Sequence, residues 1–273
     1  MTFSVLMSVY KNDSPDFLKI ALQSIYEQQT RKPDEIVVVF DGPLTDEIIE
    51  VLEEFQRDKE DIVKYLPQEI NRGLGEALRI GSEYCSCDYI MRMDSDDVSV
   101  PNRFSRQMSY VESNPQIDVL GCDIAEFQLS PDEDNKRIRS CPAKHEDILK
   151  MCKSRNPMNH VTVCIKRESL LMSGGYKSLL LLEDYYLWLN MIVAGCTFAN
   201  INEPLVNVRV GNGFDSKRSS KTRIVGWKVL QNFMLEHKLI TKSKARRNML
   251  YINAFVRTPK WAKKFIYKHF LRK

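Results

Sequence analysis

The 273-residue sequence predicts an α/β fold: a mainly parallel central sheet flanked by helices on both faces, followed by a basic helical segment at the C-terminal end. Three observations point there. Short apolar runs alternate with amphipathic stretches from residue 3 to residue 93. These runs are continuous rather than alternating in polarity, as strands covered on both faces are. Three of them close on polar residues, at Ser8 and Tyr10, at Asp41, and at Asp94 to Asp97.

The first run, 3-FSVLMSV-9, reads as a strand, and Ser14-Pro15 behind it as an N-cap with proline at the first helical position. Phe17, Leu18, Ala21, Leu22 and Ile25 then recur at helical spacing. The run 35-EIVVVF-40 is a second strand ending in Asp41-Gly42-Pro43, and Ile48, Val51, Leu52 and Phe55 mark a second helix. A third strand, 62-IVKYL-66, and a third helix, 74-LGEALRIGSEYC-85, lead to 89-YIMRM-93, which delivers Asp94-Ser95-Asp96-Asp97. In open parallel sheets ligands bind beyond the carboxyl ends of the strands, where the strand order reverses. Ser8 and Tyr10, Asp41, and Asp94 to Asp97 should therefore converge on one crevice, which suits a nucleotide better than a protein partner.

Past Phe104 the pattern becomes mixed and partly antiparallel. A helix over 102–112, strands at 119-VLGCDIAEF-127 and 161-VTVCI-165, and a surface loop at 130-SPDEDNKR-137 are expected. The run 183-EDYYLWLNMIVAG-195 reads as a helix with two acids in its first turn, where the helix dipole favours negative charge. Beyond 219 the chain reads as helical and basic, and no internal repeat is visible.

A hydrophobic content of 43% suffices for a substantial core. No apolar run approaches the length of about 18 residues that a spanning helix needs, and no secretory pattern opens the chain, so a cytoplasmic protein is expected. The seven cysteines are scattered without zinc-site spacing and read as buried, reduced thiols. The net charge of +4 conceals an asymmetry: residues 215–273 hold 17 Lys/Arg against 2 Asp/Glu, and the rest holds 23 against 34. Such a basic segment suits anionic lipid, nucleic acid or a phosphorylated substrate.

Three carboxylates within four positions repel one another unless a cation neutralises them, and hard divalent ions prefer oxygen ligands. On the residues alone, Asp94, Asp96 and Asp97 read equally as a metal site or as caps for the helix beginning near Pro101. Tyr10 can also be a strand-end aromatic, Asp41-Gly42-Pro43 turn chemistry and Glu183-Asp184 first-turn charges, while a lone histidine such as His160 is more often structural.

Taken together and in order, SVLMSVYKN, VFDG, NRGLGEALRIG, DSDD with VSVPNRF, 156-NPMNHVTVCIKRESLLMSGGY-176 and LEDYYLWLNM resemble family 2 glycosyltransferases of the GT-A fold, a Rossmann-like nucleotide-binding fold, over residues 3–210. The resemblance implies residue roles. Ser8 and Tyr10 meet the nucleotide base, Asp41 bonds to uracil, and Asn71 and Arg79 lie near base and ribose. Asp94 and Asp96 form the D-x-D motif: Asp96 binds a Mn²⁺ or Mg²⁺ bridging the diphosphate, and Asp94 faces ribose or metal. Asp97 is either a supporting acid behind the metal or a sugar contact. Glu183 and Asp184 match the family's E-D pair, whose Asp is the catalytic base, and His160 falls on the acceptor side.

Two departures stand out. No histidine lies between Lys166 and His237, so Arg209, Lys217 or Arg218 must stand in as diphosphate contacts. The processive Q-x-x-R-W signature is also absent, which favours addition of a single sugar. The implied organisation is a catalytic domain over 1–214, with a nucleotide-binding half 1–104 and an acceptor half 105–214, followed by 215–273. The implied reaction is inverting transfer of a hexose from UDP-Gal, UDP-Glc or a UDP-HexNAc to a saccharide on polyprenyl diphosphate, with a β-1,3 linkage, as in bacterial O-antigen or capsule synthesis. The stretch 258-TPKWAKKFIYKHFLRK-273 mixes aromatic and basic residues and suggests peripheral contact with the cytoplasmic face of the inner membrane. A sugar nucleotidyltransferase would need a glycine-rich phosphate loop after the first strand, where Tyr10-Lys11-Asn12-Asp13 stands instead. A hydrolase would separate its carboxylates. No nucleic-acid-binding motif is present, so nucleic acid is not an expected partner.

Overall fold

Period-two alternation splits each apolar run between two cores. In β1 (Phe3–Val9), Phe3, Val5, Met7 and Val9 face one core while Leu6 faces the other; in β2 (Glu35–Phe40), Ile36 and Val38 join the first and Val37 and Val39 the second. The first core is closed by α1 (Pro15–Ile25), α2 (Asp46–Gln56) and α4 (Arg103–Ser113), and the second by α3 (Leu74–Tyr84) and α7 (Glu183–Val193). These runs are mostly apolar because helices cover both sides of the sheet. The coordinates, a computed structural model, describe residues 1–179, 181–211 and 222–258.

With β3 (Val63–Pro67), β4 (Tyr89–Met93), β5 (Val98–Ser99), β6 (Val119–Phe127), β8 (Cys164–Lys166) and β9 (Phe198–Arg209), the sheet runs in the order β3-β2-β1-β4-β8-β6-β9-β5, and β7 (Arg137–Arg139) pairs with β6. The contacts β2–β3, β1–β2 and β1–β4 are parallel, whereas β4–β8, β6–β8 and β5–β9 are antiparallel and β6–β9 is parallel again. The expected parallel first half and mixed second half are both present.

Differences are local. The strand expected at 161–165 begins only at Cys164, because residues 160–162 form a 3₁₀ turn in which the Thr162 hydroxyl donates to the Asn159 carbonyl. Two short helices, α5 (His145–Cys152) and α6 (Arg167–Met172), fill stretches without a clear periodic signal. All seven cysteines are free, and all but Cys87 are buried.

The C-terminal part contains α8 (Thr222–Glu236) and α9 (Lys242–Arg257). Trp227, Leu230, Met234, Ile240 and Ala245 pack onto Tyr185 and Leu189 of α7 and Cys152 of α5, so these helices buttress the helix that carries the E-D pair. Among the described residues no helix is long and apolar enough to cross a membrane. Lys217, Arg218 and residues 259–273, on which diphosphate and membrane expectations fell, lie outside the described residues.

Candidate active site

The strand order reverses between β1 and β4: from β1 the chain moves outward to β2 and β3, then returns to place β4 on the other side of β1. Met7 pairs with Met93, so the residues following each strand emerge side by side at the carboxyl edge of the sheet. Asp13 ties the two loops together, its carboxylate accepting from the Tyr10 N–H at 3.1 Å and from the Ser95 hydroxyl at 2.8 Å. On the next strand, the buried Asp41 carboxylate accepts the N–H groups of Arg72 (2.7 Å) and Gly73 (3.0 Å), and its carbonyl accepts from the Asn71 amide at 3.0 Å. Gly42 makes this closure possible. Its φ is +88°, and a Cβ there would stand 2.7 Å from the Asn71 nitrogen.

Asp94, Asp96 and Asp97 each offer a carboxylate oxygen, and these three atoms lie within 4.8 Å of one another. Their surroundings differ. Asp94 is paired with Arg92, which projects from β4. Asp97 is buried and accepts the Arg209 backbone N–H at 2.8 Å; burial, then the charges of Asp94 and Asp96, drive its carboxyl well above the usual carboxylate range. Asp96 is lifted to about 6 by the desolvating bulk of the surrounding protein and by the charges of Asp94 and Asp13, although its own side chain reaches solvent, so the direction rests on the neighbouring carboxylates. Asp96 and Asp97, both held above their ordinary range, are short of positive charge, and the all-oxygen donor set of this span fits Mg²⁺ or Mn²⁺. Arg209 closes the far side: its Nε donates to the Asp96 carbonyl at 3.2 Å, and its guanidinium lies between the rings of Phe17 (3.7 Å) and Phe127 (4.6 Å).

Glu183 and Asp184 open α7, where Glu183 lies within electrostatic reach of Arg92 and Asp94. Burial and then the Asp184 charge raise Glu183 to about 7, with weaker influences from Arg92 and Asp94. The Asp184 carboxylate is oriented by the side-chain amide of Asn156 and by the Tyr185 N–H (2.7 Å). His160 shares a hydrogen bond of 2.9 Å with the Tyr176 hydroxyl and packs edge-on against Trp188. Burial, reinforced by the Arg92 charge, holds its pKa well below the ordinary value, so the imidazole is neutral. His160 thus braces the underside of α7. Arg79 is engaged along its own helix by Glu76 and Glu83, apart from the hydrogen bonds that tie Asp41 to residues 71–73. Ser8 sits at the end of β1 opposite Val39.

Sequence reasoning missed Asp13, Arg92, Asn156 and Tyr176. Only Arg92 left a signal, as a lone cation inside the apolar run YIMRM.

Comparison with known proteins adds an independent line. Residues 4–173 match the family described as "Glycosyl transferase family 2". An uncharacterised glycosyltransferase of Haemophilus influenzae is 41% identical over 218 residues, covering 80% of this chain and 79% of that protein. The UDP-Gal:alpha-D-GlcNAc-diphosphoundecaprenol beta-1,3-galactosyltransferase of Escherichia coli is 38% identical over 221 residues, 81% of this chain and 77% of that protein. Among solved structures, S. aureus TarS 1-349 in complex with UDP-GlcNAc superposes with a TM-score of 0.69 at 16% identity, covering 93% of this chain and 72% of that one.

Proposed function

The chain belongs to glycosyl transferase family 2 and is a glycosyltransferase, and from that premise we propose that it transfers a hexose from a UDP-sugar (UDP-Gal, UDP-Glc or a UDP-HexNAc) to an acceptor sugar with inversion, using Mn²⁺ or Mg²⁺. One observation carries the reading. Three carboxylates within 4.8 Å stand at the switch point of the sheet, with the Glu183-Asp184 pair in the same electrostatic neighbourhood.

In this reading Asp96 is the principal ligand of the ion, because Asp94 is held by Arg92 and Asp97 by the Arg209 backbone. The ion supplies charge neutralisation to the departing diphosphate. Asp41, Asn71, Ser8 and Tyr10 flank the nucleoside, and Arg209 stands beside the diphosphate. Asp184, oriented by Asn156, takes the proton of the acceptor hydroxyl. A carboxylate is a far weaker base than an alkoxide, so the proton leaves late, together with formation of the new bond. One ion site and one base form the set for a single in-line displacement, which inverts the anomeric centre.

The acceptor proposed is a saccharide on polyprenyl diphosphate, joined through a β-1,3 linkage during bacterial surface-polysaccharide synthesis; the name of the E. coli relative supports this. Peripheral contact with the cytoplasmic face of the inner membrane follows from such an acceptor. It is supported by α9, which carries no acid and exposes Leu250 (70%) and Tyr251 (68%) next to Arg246 and Arg247. Residues 1–214 then form the catalytic unit and 215–273 the membrane-facing one.

The test is to incubate the protein with Mn²⁺ or Mg²⁺ and a panel of nucleotide sugars, with and without a synthetic lipid-diphosphate saccharide, following release of nucleoside diphosphate. Asp96→Asn should abolish metal-dependent donor binding, whereas Asp184→Asn should keep donor binding and lose transfer. The reverse pattern, or no turnover with any donor, overturns the proposal.

A further inference from the structure

Arg92 takes no direct part in the proposed transfer, yet the fold has carried its guanidinium into a strand with no other charge. All five residues of β4 are buried, and the Arg92 side chain is only 4% exposed. A charge taken this far out of water is strongly unfavourable unless a partner is fixed beside it. The partner is Asp94, gripped through both carboxylate oxygens by the two terminal nitrogens, while the buried Nε of Arg92 has no partner. The backbone here cannot drift: the Arg92 N–H donates to the Val163 carbonyl at 3.0 Å, and its own carbonyl accepts from the buried Arg103 at 2.8 Å. Arg92 is therefore a fixed cation whose hydrogen-bonding edge points at one of three clustered acids.

Resting on the metal-dependent reading of this site, we propose that Arg92 is its resident counter-cation, a positioning residue that occupies Asp94 and so weakens the binding of a free divalent ion in the absence of the donor. Both Asp94 oxygens already share their charge with the guanidinium, so this carboxylate is a poor ligand for a second cation. A positive charge built in beside the ion's position also repels an incoming ion through a medium of low effective dielectric. The donor's diphosphate brings the negative charge that offsets this repulsion. Ion and nucleotide sugar then bind as a pair, and the ion alone binds weakly.

The experiment measures Mn²⁺ binding to the full chain with and without UDP, by calorimetry and by the electron paramagnetic resonance signal of free Mn²⁺, for the parent, Arg92→Met and Arg92→Lys. Arg92→Met is expected to bind Mn²⁺ alone at least about tenfold more tightly than the parent, and the enhancement by UDP should shrink. Arg92→Lys, which restores the charge, should return the parent's dependence on UDP; a purely structural role would not move this ratio. Should Arg92→Met not fold without the ion, Arg92→Gln carries the same comparison. Unchanged or weaker Mn²⁺ binding by the folded neutral variant overturns this inference alone. A parent protein that binds no Mn²⁺ even with UDP overturns the metal reading, and this inference with it.

Discussion

Gly75 sets how closely α3 approaches the start of α7. A Cβ built there would lie 3.2 Å from the Glu183 Cβ, 3.4 Å from the Ser178 Cα and 3.5 Å from the Lys177 carbonyl oxygen. Carbon atoms rest at about 3.5–4.0 Å from one another, so Gly75→Ala asks the E-D turn to retreat by a few tenths of an ångström. The strain is offset by helix propensity, which favours Ala over Gly by about 1 kcal/mol, and the net change in stability should stay within about 1 kcal/mol. Gly75→Val adds two methyl groups beyond a Cβ that is already tight. Overpacking of that kind costs about 1–3 kcal/mol and should displace the E-D turn by about 1 Å, an error that lowers a transfer rate by about 100-fold. Melting curves give the stability, turnover followed by nucleoside diphosphate release gives kcat, and titration with UDP-sugar gives donor affinity. Because Gly75 touches residues 177, 178 and 183 and not the acids of 94–97, donor affinity should hold within about twofold while kcat falls. A folded Gly75→Val protein with the parent's kcat would refute this account of the α3–α7 contact.

Three further outcomes are expected. Gly42→Ala combines a φ of +88° with a Cβ 2.7 Å from the Asn71 nitrogen and should cost about 2–4 kcal/mol in urea unfolding, weakening donor binding as well. Glu183, raised to about 7 in the fold from an ordinary 4.5, favours the folded state fully below about pH 4.5 and loses that contribution as pH rises through 7. Glu183→Gln should therefore melt higher than the parent at pH 8, by about 1–2 kcal/mol after allowance for partial exposure, with the difference disappearing near pH 4. Arg103→Leu removes a buried guanidinium that serves the carbonyls of Arg92 (2.8 Å) and Val161 (3.1 Å), and should cost about 2–4 kcal/mol by equilibrium unfolding.

The first four strands are legible in the sequence because helices on both faces make most of their positions apolar, the buried polar exceptions Ser4, Glu35 and Arg92 each being tied to a partner. The acidic cluster is legible because gathering like charge at a strand end is unfavourable without a cation. What the chain hides is long-range pairing. Asp13 meets Ser95 across 82 positions and Asn156 meets Asp184 across 28, and nothing local marks either contact. Arg92 hides for the opposite reason: a single cation in an apolar run looks like an interruption until Asp94 is seen beside it. The strand β9 hides behind Asn202-Glu203-Pro204, a turn-like triplet. The sheet absorbs it with a register shift opposite Cys122 and Asp123.

The bond from the Arg209 N–H to the Asp97 carboxylate joins positions 112 residues apart and has a consequence in time. A ribosome adds about 5–20 residues per second, so Asp97 waits on the order of 6–20 s for the strand that fixes it. All three carboxylates of the cluster are synthesised long before β9, so the bond that fixes Asp97 forms only once β9 has paired with β6 and β5.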